Sequence, residues 1–192
     1  MKRNGMVLRL ALLASLVALL SISGCKKQQP PPPAGEGQPI RLNAEADIEN
    51  YKEILRKDPN NLQALIGIGN LYFDTNRDLL AIESYGKALA IDPTNANVRT
   101  DMATCYRRSG NPARAVEELK KAISTSPRHA QSRINLGVIL IHDMHDPEGG
   151  IKAWEALLEN IPDYPDRENL KAEIARMRSV QGSGKQAFKD SR

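Results

Sequence analysis

Apolar positions recur at spacings of three and four residues along most of this 192-residue chain, in blocks that repeat with a nearly constant period. Each block ends near a proline, and Pro59, Pro93, Pro127 and Pro162 are 34, 34 and 35 residues apart. A spacing of three and four residues places side chains on one face of a helix. Because a period of this length is typical of stacked helix pairs, the pattern predicts an all-α solenoid.

Three full units, at residues 62–95, 96–129 and 130–164, align column by column. Small residues stand opposite bulky ones, as two closely crossing helices require. The third unit has one extra residue in its inner turn, where Met144 stands in the column of Gly110. The aligned columns are Ile68/Met102/Leu136, Gly69/Ala103/Gly137, Leu71/Cys105/Ile139, Tyr72/Tyr106/Leu140, Ala81/Ala115/Gly150, Ile82/Val116/Ile151, Tyr85/Leu119/Trp154 and Ala88/Ala122/Leu157.

These columns resemble those of the tetratricopeptide repeat family over about two-thirds of the chain. The resemblance implies a right-handed α-solenoid of antiparallel helix pairs, in which the first helix of each pair lines a concave groove. The family's small, tyrosine, alanine, aromatic, alanine and proline positions are occupied by Gly69, Tyr72, Ala81, Tyr85, Ala88 and Pro93, and again by Ala103, Tyr106, Ala115, Leu119, Ala122 and Pro127.

The two ends of the array are predicted to be incomplete. Residues 43–61 match the second helix of a unit whose first helix is missing, because the Pro/Gly-rich stretch before them cannot be helical. Residues 165–180 predict an amphipathic closing helix with a solvated outer face. For residues 181–192 we expect a disordered tail.

The amino terminus has the pattern of a bacterial export signal, in residues 1–24. Basic residues precede a thirteen-residue apolar run, which is shorter than the roughly 20 residues of a membrane-spanning helix. The run ends in Ile22-Ser23-Gly24-Cys25, which resembles the bacterial lipoprotein processing site. The resemblance implies cleavage before Cys25 and attachment of acyl chains such as palmitate, which would anchor the protein stably to a membrane.

Residues 25–42 then predict a tether of polyproline II character, since they contain four consecutive prolines. By resemblance to other lipoproteins, Lys26 after Cys25 favours the periplasmic face of the outer membrane. Without the bases of the signal, 24 of the 27 basic residues remain against 23 acids. A near-neutral balance argues against nucleic acid as a partner.

Catalytic motifs are absent from the sequence, which has no Gly-rich phosphate loop, Cys-x-x-Cys pair or Gly-x-Ser-x-Gly elbow. We therefore predict a protein that is not an enzyme and uses no cofactor or metal. One alternative stays open: His142 and His145, with the two aspartates beside them, could form a surface metal site in the inner turn of the third unit. The simpler interpretation is a polar turn.

Function is expected in the concave groove, which would bind a peptide or an amphipathic helix of a partner protein. We expect apolar anchors on the third unit and a polar or acidic part of the partner near the two arginines of the second. The alternative is that the arginines form a solvated face and that the apolar row packs on the closing helix. The predicted groove residues are Asn70, Phe73, Asp74, Thr104, Arg107, Arg108, Ile134, Val138, Ile141 and His142.

These features together predict a membrane-anchored scaffold for a partner protein during bacterial envelope assembly. Self-association through the open ends of the array is a further possibility. A second alternative comes from residues 150–158 and 170–175, which are similar to the end of the repeat domain in c-type cytochrome maturation factors. That similarity implies a protein that holds apocytochrome segments.

Overall fold

The computed structural model of the protein describes the backbone of residues 38–190 and the side chains of residues 43–180. The predicted signal peptide, Cys25 and most of the predicted tether lie outside the described residues. The described part contains eight helices and no strand. The helices are α1 (Gln38–Lys57), α2 (Leu62–Asp74), α3 (Asp78–Ile91), α4 (Ala96–Arg108), α5 (Pro112–Thr125), α6 (Ala130–His142), α7 (Pro147–Asn160) and α8 (Arg167–Asp190).

Polar side chains cap the N-termini of helices at matching positions of successive units. Asn61, Asn95 and His129 cap the first helix of each unit by accepting a hydrogen bond from a backbone N–H three residues later. Asn111 and Asp146 do the same for α5 and α7, where a proline follows directly. Proline is favoured at this first helical position because the missing N–H would have no intrahelical partner there.

The extra residue of the third unit lies in its inner turn, as predicted. The inner turns of the first two units span three residues, whereas that of the third spans residues 143–146. Our alignment of Met144 with Gly110 was wrong, because the left-handed backbone position of this turn is His145, with φ of 54°. Asn76 and Gly110 hold that position in the earlier units, at φ of 57° and 82°.

Both end helices are longer than the sequence predicted. Helix α1 begins at Gln38, inside the segment expected to be a tether that ended at residue 42. Pro39 does not prevent this, because proline is tolerated in the first turn of a helix. Helix α8 continues to Asp190, beyond the expected end at residue 180 and into the predicted tail. No proline follows Pro165, so the sequence contains no residue that must end the helix.

The core is continuous along the array, because each helix packs on the next one in sequence. Glycines allow the closest crossings. A Cβ atom on Gly69 would lie 2.6 Å from the Tyr85 ring, and one on Gly137 would lie 2.1 Å from Nε1 of Trp154. Cys105 is fully buried in the same core, and burial raises the pKa of its thiol to about 12. The thiol is therefore a packing group.

The first helices of neighbouring units touch one another, α2 with α4 and α4 with α6, whereas the second helices of neighbouring units do not. The array therefore curves toward its first helices. The protein is an α-solenoid of three helix pairs, with the single helix α1 before them and the single helix α8 after them. We call the surface formed by α2, α4 and α6 the concave face.

Candidate functional site

The two arginines predicted to receive an acidic partner are already paired within the protein. Arg107 donates from Nε to Asp143 in the inner turn of the third unit, at 2.7 Å. Arg108 donates from Nε to Asp78 at the start of α3, at 2.9 Å. One arginine thus reaches forward by a unit and the other reaches back. Their charges are largely neutralised, which removes the reason to expect an acidic ligand beside them.

Phe73 is tied to the same contact. The guanidinium of Arg108 lies 4.2 Å from the centre of the Phe73 ring and also donates to the Phe73 carbonyl at 3.0 Å. Stacking of a guanidinium on an aromatic face adds a cation–π attraction to the ion pair. Phe73 and Arg108 are both predicted groove residues, and their contact joins the first unit to the second.

The negative charges of the concave face are different, because Asp74 and Asp101 have no hydrogen bond or ion pair to any described residue. Asp101, on α4, is half-buried. Burial and the nearby charge of Asp74 raise the pKa of the Asp101 carboxyl above the ordinary value of 3.8. Beside them, the Tyr85 hydroxyl donates to Oδ1 of Asn70 at 2.8 Å. The centre of the concave face is therefore acidic and lacks an internal cation.

Thr104 lies one turn beyond Asp101 and connects α4 to α6. Its hydroxyl donates to the carbonyl of Thr100 at 3.1 Å and accepts a long hydrogen bond, 3.5 Å, from Nδ2 of Asn135. The side chain remains half-exposed. It therefore borders the acidic centre on the side of the third unit.

The apolar row of the third unit is half-buried. Ile134, Val138 and Ile141 pack against a cluster that contains α7 residues together with Leu170 and Ile174 of the closing helix α8. This is the packing that the alternative interpretation of the row expects. Partial exposure still leaves an apolar edge beside the acidic centre.

The histidines of the third inner turn are exposed, and His145 has the strained left-handed backbone described above. Within residues 43–180, no three histidine, cysteine, aspartate or glutamate side chains come together as a metal site requires. His142 lies near Glu173 of α8, whose pKa its charge helps to lower after the larger effect of the hydrogen bond from Arg176. His142 therefore belongs to the boundary between the concave face and α8.

Asp101 is not among the groove residues that the sequence analysis predicted. The residues at the same repeat position in the neighbouring units are Gly67 and Asn135, so Asp101 is the charged residue at that position. A charged residue at a position that is otherwise small or neutral, beside a closely packed helix, indicates a special role. Trp154 has a structural role, since it fills the space above Gly137 and donates to the carbonyl of Ile134 at 3.2 Å.

Comparison with known proteins supports this architecture. Two family models, each described as a tetratricopeptide repeat, match residues 48–96 and 80–120. Residues 48–120 are therefore similar to tetratricopeptide repeats. No curated protein sequence matches the chain. Both matches end before the third unit, which is the irregular one.

Solved structures share the fold at low sequence identity. A crystal structure of MamA protein is 23% identical with a TM-score of 0.63, over 78% of this chain and 81% of that one. MamA from Desulfovibrio magneticus RS-1 is 15% identical with a TM-score of 0.59, over 65% and 70%. The first tetratricopeptide repeat domain of Spaghetti (RPAP3), bound to the HSP90 peptide SRMEEVD, is 23% identical with a TM-score of 0.55, over 65% and 96%.

No helix in the described part of the chain is both long enough and apolar enough to cross a membrane.

Proposed function

We propose that this tetratricopeptide repeat protein is a scaffold without catalytic activity, which holds a segment of a partner protein on its concave face. The fold supports the proposal, because a neighbour with the same fold is bound to a peptide. The observation that carries it is the unpaired acidic centre made by Asp74 and Asp101. A half-buried carboxylate with no internal cation is costly unless a ligand supplies the opposite charge.

The partner segment therefore presents a lysine or arginine side chain to Asp74 and Asp101. Apolar residues next to that cation face Ile134 and Val138, whose edges remain open. This reverses the polarity that the sequence suggested, because the arginines expected to attract acids are neutralised by Asp78 and Asp143. Charge complementarity of this kind sets orientation and specificity more than affinity.

Within the cell, we propose that acyl chains on Cys25 anchor the scaffold, with the solenoid on the periplasmic side of the bacterial outer membrane. Support comes from the export signal, the processing-site pattern and the proline tether in the sequence. A Cys25→Ala variant should then appear in the soluble fraction and carry no acyl label, whereas the unmodified protein should label and sediment with membranes. Equal fractionation of the two would contradict the anchor while leaving the groove proposal intact.

The groove is tested by a photoreactive residue at Thr104 of the full chain, activated in intact cells. We expect capture of a specific protein through a segment that contains a basic residue. Capture should be lost in an Asp74→Asn/Asp101→Asn double variant. A matched control is Glu83→Gln, which removes a carboxylate from the exposed surface of α3.

The same partner should also lose its capture when its basic residue is changed to glutamine. Undiminished capture by the double aspartate variant, or a captured segment rich in acidic residues, would contradict the proposed chemistry. Binding should weaken as the pH is lowered, because the raised pKa makes the carboxyl of Asp101 take up a proton at a higher pH than an ordinary aspartate does.

A further inference from the structure

The two ends of the solenoid are complementary halves of one unit. Helix α1 occupies the place of a second helix and has no first helix before it among the described residues. Helix α8 packs on α7 as a first helix packs on the second helix before it, although unlike α4 and α6 it does not touch the preceding first helix, and no second helix follows it in the described part of the chain. Each end therefore exposes a helix face that every internal unit covers.

At the start of the array, the uncovered face is a cavity of about 490 Å³ between α1 and α2. Tyr51 stands one period before Tyr85 and contacts Gly67 on one side, while its other side faces this cavity. In the next unit the corresponding residues are covered by α2, and their buried members are Ala81, Ser84, Tyr85, Ala88 and Cys105. The cavity is lined by Asp47, Asn50, Tyr51, Ile54, Gly67, Asn70 and Leu71.

At the other end, α8 has the residue pattern of a first helix. Leu170 and Ile174 pack with the α7 residues of their cluster, as Val98 and Met102 of α4 pack with those of α3. This register places Ala175 in the column of Gly69, Ala103 and Gly137. In the internal units, that small residue receives the bulky side chain of the following second helix. Ala175 is exposed and receives no such side chain from the described residues.

We propose that helix α8 of one copy of the protein docks in the cavity of a second copy, so that α8 and the second copy's α1 complete one repeat. Tyr51 of the second copy then lies against Ala175, at the position where Tyr85 lies against Gly69 and Leu119 against Ala103. Because a Cβ atom on Gly69 would lie 2.6 Å from the Tyr85 ring, the Tyr51–Ala175 pair requires a wider crossing than the Tyr85–Gly69 pair.

Charges on the two surfaces are complementary. The register that aligns Ala175 with Ala103 aligns Lys171 with Arg99, which is held by Glu118 in the second unit. The position that faces Lys171 is then Asn50 of α1, which stands in the column of Glu118, whereas Glu53 stands in the column of Lys121 and pairs with Arg56 and Lys57 in its own helix. Asp47, at the edge of the cavity, has no hydrogen bond or ion pair with another described residue. The cavity is thus polar with one unpaired carboxylate, Asp47, and the exposed face of α8 offers Lys171, which also lies 2.8 Å from Glu168.

Contacts between different ends are heterologous, so each added copy leaves one free α1 and one free α8. Such contacts build an open chain of copies unless the rotation between copies closes a ring. Association through α1 and α8 leaves Thr104 and Asp101 uncovered. Loss of self-association and loss of partner capture can therefore be observed separately.

Sedimentation velocity of the full chain in detergent, over the widest accessible range of concentration, tests the proposal. We expect the sedimentation coefficient to rise with concentration. An Ala175→Glu variant should lose this rise, because a larger acidic side chain cannot fit beneath Tyr51 in an acidic cavity. The control Ala90→Glu makes the same change on the exposed surface of α3 and should behave as the unmodified protein. Both substitutions lie on exposed helical surface, and thermal unfolding by circular dichroism verifies that each variant is folded.

A crosslinking experiment locates the contact. Protein with Tyr51→Cys is mixed with separately tagged protein with Ala175→Cys, and a short bismaleimide is added. We expect a crosslinked pair containing both tags, which should be absent when either variant is mixed with unmodified protein. Cys25 and Cys105 are present in every sample and define the background.

A monomer at all concentrations would overturn the proposal, and so would self-association that Ala175→Glu leaves unchanged. Association without the mixed crosslink would show that another surface joins the copies. A crosslink from Tyr51→Cys to Cys25 of the same chain, formed in place of the mixed pair, would show that the chain fills its own cavity.

Discussion

The second and third units have helices of nearly equal length, yet different interactions join their paired helices. In the second unit, Arg99 of α4 donates to the buried carboxylate of Glu118 at 2.7 Å, and Lys121 donates to its other oxygen at 2.9 Å. In the third unit, the column of Glu118 holds Ala153, so the buried Arg133 meets no carboxylate there. Its Nε donates instead to the carbonyl of Pro127 at 3.0 Å.

An aromatic residue supports the third unit where the second uses the ion pair. Trp154 occupies the space above Gly137 and donates to the carbonyl of Ile134, whereas the second unit has Leu119 and Ala103 at these positions. The comparison teaches that either an ion pair or a large aromatic side chain can fill the space between paired helices. The four predictions below test that conclusion from the largest expected effect to the smallest.

Trp154→Ala should lower the free energy of unfolding by about 3–5 kcal/mol, because it removes a large buried side chain and leaves a cavity above Gly137. Urea unfolding of the full chain followed by circular dichroism measures the change. Trp154→Phe is the control and should cost clearly less. A loss below about 1 kcal/mol for the alanine variant would mean that the third unit does not depend on this contact.

Glu118→Gln should cost about 3 kcal/mol, since it leaves Arg99 partly buried without its carboxylate. The cost should depend on pH. Burial alone would raise the pKa of Glu118, but the hydrogen bonds from Lys121 and Arg99 hold it below the ordinary 4.5. The ionised carboxylate therefore stabilises the fold above pH 4.5, and this contribution is lost as the pH falls through the lowered pKa.

Urea unfolding at a series of pH values from neutral to acidic measures both effects. The difference between Glu118→Gln and the unmodified protein should be largest near neutral pH and should shrink in acid. Glu83→Gln changes an exposed glutamate and should show little difference at any pH. A constant difference across the series would assign the loss to packing and not to charge.

Thr100→Val should cost about 1–2 kcal/mol, because Oγ of Thr100 and Oγ of Ser132 lie 2.7 Å apart in the buried junction between the two units. Ser132→Ala and the double variant complete a cycle. The two losses should add to more than the loss in the double variant. Strict additivity would show that this hydrogen bond does not couple the units.

Arg133→Leu should leave the free energy of unfolding unchanged or raise it by up to about 1 kcal/mol, since leucine occupies the same column in the first unit as Leu65. Arg99→Leu is the matched change in the second unit and should be strongly destabilising, because it leaves Glu118 without Arg99. Equal effects of the two variants would contradict the distinction between the units.

Local pattern was sufficient to predict the helix pairs. Prolines such as Pro93 and Pro127 locate the outer turns, and polar residues such as Asn95 locate the starts of first helices. The limits of the end helices were mispredicted. Pro39 stands in a first turn, where proline does not prevent a helix, and the continuation of α8 depends on the absence of a breaker after Pro165.

The candidate site was only partly predictable. The first helices were expected to line the concave face, but the sequence could not show which charges on that face are free. Arg107 and Arg108 are 36 and 30 residues from the carboxylates that neutralise them, Asp143 and Asp78. Pairings over such separations depend on how the units stack, and the distance between units is not encoded in any single unit.

The sequence alone determined the period, the helix pairs and the one-residue insertion, because these follow from local preferences and from side chains repeated on one helix face. Only the tertiary structure decided which groups meet across units. Stacking joins Arg108 to the first unit, leaves Asp101 without a cation, and exposes Ala175 at one end and the cavity beside Tyr51 at the other. These properties belong to contacts between units, so they appear only when the units are assembled.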